Sequence, residues 1–99
     1  MFTIYITDQA KQQLNKLKTD QGLNKRYKAV KKALYFLAEN PRHKSLQTHE
    51  FTSLKGPKGE KVFEAYAEQA TSTAYRIFWC YGPDKDQITI LAVTKHPES

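Results

Sequence analysis

Tyr75-Arg76-Ile77-Phe78-Trp79-Cys80-Tyr81 and Ile88-Thr89-Ile90-Leu91-Ala92-Val93-Thr94, parted by Gly82-Pro83-Asp84-Lys85-Asp86-Gln87, decide how this chain folds. The first run is dense in aromatic and β-branched residues, and the second is richer still in β-branched ones. The segment between them holds turn formers that support neither helix nor strand. A β-hairpin over the last third, Thr73 to His96, is the reading. Two residues in it do not suit a pure core: Arg76 inside an apolar strand, and His96 at the end of the other strand, just before Pro97. Side chains alternate faces along a strand, so whether these two meet depends on register. A five-residue loop, Gly82–Asp86 or Pro83–Gln87, makes paired positions sum to an even number. Arg76 and His96 then share a face, two to four residues apart along the ladder, roughly 7–14 Å at about 3.4 Å per residue. A loop of even length would set them on opposite faces.

Upstream of the hairpin, Phe2-Thr3-Ile4-Tyr5-Ile6 alternates and reads as a first strand. Thr7 or Asp8 can cap a helix with a side-chain oxygen, and Ala10, Leu14 and Leu17 form that helix's apolar stripe. Gly22 ends the helix or follows it closely. From Leu23 or Asn24 to Glu39, the positions Leu23, Tyr27, Val30, Leu34 and Leu37 recur at helical spacing, and Lys25, Lys28, Lys31 and Lys32 lie mostly off that stripe. Asn40-Pro41 stops this second helix, because proline disfavours helical backbone at the residue before it. Residues 41–60 are polar and lysine-rich, with a short extended piece around Glu50-Phe51-Thr52-Ser53-Leu54 and a turn at Gly56-Pro57-Lys58-Gly59. Lys61 to Gln69 reads as a strand that enters the hairpin through Ala70-Thr71-Ser72. The expected fold is α+β, in the order β-α-α-β-β-β. It is a small antiparallel sheet with two N-terminal helices packed on one face and a half-open face on the other.

Length and charge narrow the function. Ninety-nine residues make one domain, 1–99. A net charge of +6 suggests a polyanionic or acidic partner: nucleic acid, a membrane surface or an acidic protein. The single cysteine, Cys80, excludes an internal disulfide and fits a reducing compartment. No apolar run approaches the ~20 residues of a membrane span, and the N-terminus lacks a signal-peptide pattern, so a cytoplasmic location is expected. His43, His49 and His96 show no zinc-like spacing, and no phosphate loop, nucleotide fingerprint or nucleophile elbow is present. Neither metal nor cofactor is expected. What remains is a polar set around one apolar sheet: Glu50, Lys55, Lys58, Lys61, Glu64, Glu68, Arg76, Lys95 and His96. Metal-free RNA cleavage needs a base for the 2′-hydroxyl, a cation for the charge on phosphorus and an acid for the leaving 5′-oxygen. Glutamate, arginine and histidine supply those roles. Equally, Arg76 can pair with Glu64 or Glu68 across the neighbouring strand.

Leu54-Lys55-Gly56, then Phe63-Glu64-Ala65-Tyr66, then Ala74-Tyr75-Arg76-Ile77-Phe78-Trp79, then a β-branched strand ending in His96-Pro97, resembles the RelE/ParE superfamily of bacterial toxins from type II toxin–antitoxin systems. The element order agrees over nearly the whole chain. The resemblance implies a ribosome-dependent mRNA endonuclease that works without a metal and inhibits translation, or, in the ParE-like branch, an inhibitor of DNA gyrase. It also implies a cognate antitoxin protein as partner. In YoeB-like members a glutamate ahead of the sheet is the base, an arginine at the start of the hairpin holds the phosphate, and a histidine ending the last strand is the acid. Arg76 matches the arginine. His96 matches the histidine with a hairpin loop two residues longer, and Glu50 approximates the glutamate. Lys55, Lys58, Lys61 and Lys95 become RNA contacts. Many RelE-like nucleases carry an aromatic residue after the last strand; here Pro97-Glu98-Ser99 follows. A non-catalytic toxin homologue acting as a binding module is therefore a further expectation.

Overall fold

The computed structural model describes residues 1–68 and 74–95. The chain runs β1 (Thr3–Ile6), α1 (Asp8–Thr19), α2 (Asn24–Glu39), β2 (His49–Lys55), β3 (Lys61–Tyr66), β4 (Tyr75–Tyr81) and β5 (Gln87–Lys95), with single 3₁₀ turns at Gln21–Leu23 and Lys44–Leu46. The five strands form one sheet in the order β1-β5-β4-β3-β2.

Local chemistry sets the helix ends. Thr7 is the N-cap of α1: its hydroxyl oxygen accepts from Ala10 N at 3.2 Å. The same hydroxyl donates to Leu91 O at 3.2 Å, which ties the helix start to β5. Asp8 in the first turn and Lys16 and Lys18 in the last suit the helix dipole. Asp20 then accepts from Gly22 N at 2.9 Å and turns the chain toward α2. α2 stops at Asn40, directly before Pro41. One face of the sheet receives both helices. Ala10 and Leu17 of α1, Val30, Ala33 and Leu37 of α2, and Leu46 pack on Ala65, Ile77, Trp79, Ile88, Ile90 and Val93.

Three features differ from the sequence reading. First, the sheet is mixed: β1 pairs with β5 in parallel, Thr3 opposite Gln87 through Ile6 opposite Ile90, while β2 to β5 form an antiparallel meander. Strand propensity fixes no direction, and β1 shares its ladder with the strand farthest from it in the chain. Second, the segment after the helices is a full strand, β2, so four strands follow the helices rather than three. Its mostly polar sequence hides it, and its pairing with β3 slips between Glu50 and Lys55. Third, the face away from the helices is far from half-open. Val62, Phe78 and Cys80 are buried there, and Phe51 of β2 packs its ring edgewise against Phe78 at 5.0 Å.

At the hairpin of β4 and β5, six residues lie between the last paired residues, and Gln87 among them already belongs to β5 through its pairing with Thr3. Tyr81 pairs with Ile88, and Gly82 N donates to Gln87 O at 2.9 Å. Gly82 has φ 110°, a backbone region that favours glycine. Beyond the loop the register changes. Trp79 pairs with Ile90 and Phe78 with Ala92, so Leu91 is an extra residue, a β-bulge. Pairs near the loop therefore sum to an odd number and those beyond the bulge to an even one, which sets Arg76 opposite Thr94.

Candidate active site

In β4 the alternation sends Ile77 and Trp79 to the helix side and Arg76, Phe78 and Cys80 to the other. Tyr66 of β3 pairs with Arg76, and Glu64 with Phe78, so the side chains of Glu64 and Tyr66 share Arg76's face. Arg76 is 5% exposed and Glu64 1%. Arg76 Nη1 lies 3.4 Å from Glu64 Oε2, and its guanidinium carbon stands 4.4 Å over the Tyr66 ring. On the other side of the carboxylate, His49 Nε2 lies 2.8 Å from Glu64 Oε1. His49 heads β2 opposite Glu64 and is delivered there by Gln47, whose backbone is left-handed at φ 48°. Its Nδ1 lies 2.9 Å from Gln47 O, and its ring meets Tyr66 edgewise at 5.8 Å. One buried carboxylate thus joins a guanidinium to an imidazole. The two buried members are held by mutual pairing, since the Glu64 or Arg76 charge alone would bear a desolvation cost of several kcal/mol.

The residues singled out from sequence are dispersed around this cluster. Arg76 is its cation, and of the two glutamates open to it, it takes Glu64. Glu68 instead accepts from Tyr75 N at 2.9 Å. Glu50 pairs with Phe63, so its side chain leaves β2 on the face opposite His49, Glu64 and Arg76. Lys55 and Lys61 pair at the far end of β2 and β3, with Lys58 in the loop between them. Five residues of strand separate Lys61 from Tyr66, about 17 Å. Lys95 pairs with Tyr75 on the helix side of the sheet. His96 lies outside the described residues. Sequence reading passed over His49, and it kept Glu64 in the polar set and as a candidate partner of Arg76 without giving it a catalytic role. The available signal was a lone acid in the apolar strand from Val62 to Ala67, matching a lone base in the apolar strand from Tyr75 to Tyr81.

Other groups are committed elsewhere. In the Gly56-Pro57-Lys58-Gly59 turn the anion is the chain's own, because Glu60 Oε1 accepts from Lys58 N at 2.7 Å. Backbone N–H groups, its own and that of Lys58, hold the Glu60 carboxyl below its ordinary value. Burial pushes the Cys80 thiol above its ordinary value, aided by the charge of Glu60, so this thiol is a poor nucleophile. Among the described residues no group of three or more His, Cys, Asp or Glu side chains could hold a metal ion, and no helix is long and apolar enough to cross a membrane.

The backbone as a whole has known counterparts. A chain of the heterotetrameric YoeB-YefM toxin–antitoxin complex from Staphylococcus aureus superposes with a TM-score of 0.66, over 98% of this chain and 99% of that one, at 14% sequence identity. This chain has the RelE/YoeB-like fold. A chain of the archaeal RelE-RelB complex from Pyrococcus horikoshii OT3 agrees, with a TM-score of 0.64 over 99% of this chain and 98% of that one, at 16% identity. No protein-family model matches the sequence, and no curated protein does. At such identities the RelE/YoeB-like likeness lies in the path of the chain, and the cluster of His49, Glu64, Tyr66 and Arg76 is described from this chain alone.

Proposed function

We propose that this chain is the toxin of a type II toxin–antitoxin system, a metal-independent endoribonuclease that cleaves mRNA on the ribosome and is held in check by a cognate antitoxin. The observation that carries this reading is the whole-length likeness to chains from two toxin–antitoxin complexes. The net charge of +6 supports a polyanionic target. In this reading Arg76 faces the phosphate, a histidine protonates the leaving 5′-oxygen and a base takes the 2′-hydroxyl proton. The family resemblance offers His96 as that histidine and Lys55, Lys58, Lys61 and Lys95 as contacts to RNA; Glu50, which it offers as the base, leaves β2 on the face away from Arg76 and does not share a phosphate with it.

One observation favours a second reading, a toxin homologue that acts by binding alone. Arg76 is nearly buried and already engages Glu64, as an arginine serving stability does. A single experiment separates the readings. Controlled expression of the parent, Arg76→Ala and His96→Ala chains is followed by growth, by mapping of transcript ends and by a DNA-damage reporter. Growth arrest with cut transcripts, lost in Arg76→Ala, supports the nuclease. Arrest with intact transcripts and an induced damage response moves the target to gyrase, and harmless expression leaves the binding module. Relief of arrest by the product of a neighbouring reading frame identifies the antitoxin.

A further inference from the structure

We infer that His49 is the general acid of the RNA cleavage proposed above, an assignment that rests on that reading. Both of its ring nitrogens face oxygen: Nδ1 is 2.9 Å from the carbonyl of Gln47, and Nε2 is 2.8 Å from Glu64 Oε1. A carbonyl oxygen only accepts, so the hydrogen bond to Gln47 O is made by the form with a proton on Nδ1, and the form protonated on both nitrogens also donates from Nε2 to Oε1. Glu64 cannot swing away freely. It is 1% exposed, and Arg76 Nη1 stands 3.4 Å from its other oxygen. The imidazole side chain itself is 46% exposed. A carboxylate that orients an imidazole and stabilises its charged form is the device that makes histidine an effective proton donor. Here that device stands at the rim of the cluster containing Arg76, and Nδ1–H is held by Gln47 O until a substrate oxygen takes that carbonyl's place.

The step balances as follows. The 2′-oxygen bonds to phosphorus and the bond from phosphorus to O5′ breaks. The Nδ1 proton passes to O5′, and the 2′-hydroxyl proton passes to solvent water. The products are a 2′,3′-cyclic phosphate and a free 5′-hydroxyl, and His49 regains its proton from water. Glu64 is the positioning residue, keeping its hydrogen bond to Nε2 throughout.

The test uses the full chain, programmed ribosomes and mRNA, with the cleavage position mapped for the parent. At that position a second RNA carries a 5′-bridging phosphorothiolate, whose sulfur leaves without a proton. His49→Gln is expected to lower single-turnover cleavage of ordinary RNA by about 100-fold or more, in line with general-acid contributions. It is expected to cleave the thiolate RNA within about tenfold of the parent, which also shows that the variant is folded. His96→Ala should lack this selective rescue. His49→Gln cutting ordinary RNA at the parental rate overturns the assignment, as does equal loss on both RNAs. Rescue of His96→Ala in place of His49→Gln transfers the role to His96. A parent that cuts neither RNA overturns the nuclease reading itself, a result distinct from all of these.

Discussion

Glu64 is the side chain on which the cluster depends. Its carboxylate has His49 on one oxygen and Arg76 on the other, and is itself 1% exposed. Glu64→Ala removes the carboxylate that pairs with a buried guanidinium and is expected to cost about 3–5 kcal/mol, read from denaturant melts. The double replacement Glu64→Leu with Arg76→Met removes both charges and should cost clearly less than the two single losses added together. Glu60 makes a contrasting case at the surface. Its carboxyl titrates lower in the folded chain than its ordinary value of 4.5 because backbone N–H groups hold the charged form. The stability this provides is full above that value and fades as pH falls through the lower folded one. The stability difference between the parent and Glu60→Gln should therefore shrink on acidification from pH 6 to 3, measured by thermal melts across pH. Arg76 stood out in the sequence because a guanidinium is rare in an apolar strand. His49 did not, because nothing near it in the chain announces that a glutamate fifteen positions later will reach it.

At the level of elements, the hairpin carries the main lesson. Its strands were legible to within a residue, since aromatic and β-branched runs around a turn leave little choice. Its register was not. Ile88, Ile90 and Val93 all face the helices, a spacing of two followed by three. The run from Ile88 to Val93 is apolar at nearly every position, so alternation carries no parity through it. The even sum at Arg76 arises from the bulge at Leu91 and not from a five-residue loop. Thr7 fastens that bulge, since its hydroxyl reaches the carbonyl of Leu91 while capping α1. Thr7→Ala should then destabilise by about 1–2 kcal/mol, the upper part of the range for a lost cap, with Thr7→Ser retaining most of it. Amide exchange at Ala10 and along β5 should rise together in the alanine variant. β2 was read as a fragment because its polar residues and slipped pairing resemble a loop.

For the whole molecule, the α+β class and the placing of both helices on one face followed from two amphipathic stripes and a run of strands. The parallel pairing of β1 did not, because composition says nothing about which edge a strand joins. The core between helices and sheet holds the assembly together, and Leu37→Ala, at a fully buried position of α2, is expected to cost about 2–5 kcal/mol in denaturant melts. Charge acts at the same scale. Lys55, Lys58 and Lys61 form a basic corner about 17 Å along the sheet from Arg76, and the proposed function makes them contacts to RNA. Replacing all three with alanine should reduce the slope of log affinity against log salt by about 2 for single-stranded RNA. Cluster variants such as His49→Gln should leave that slope unchanged.

The ladder between β1 and β5 joins residues 3–6 to residues 87–90. During synthesis β1 must wait without its hydrogen-bonding neighbour until residues 87–90 have emerged. Pairings so distant in sequence form slowly, since loop closure must precede any reward from the contact. A nascent chain of this fold thus carries its first strand unpaired until the strand about eighty residues later exists to receive it.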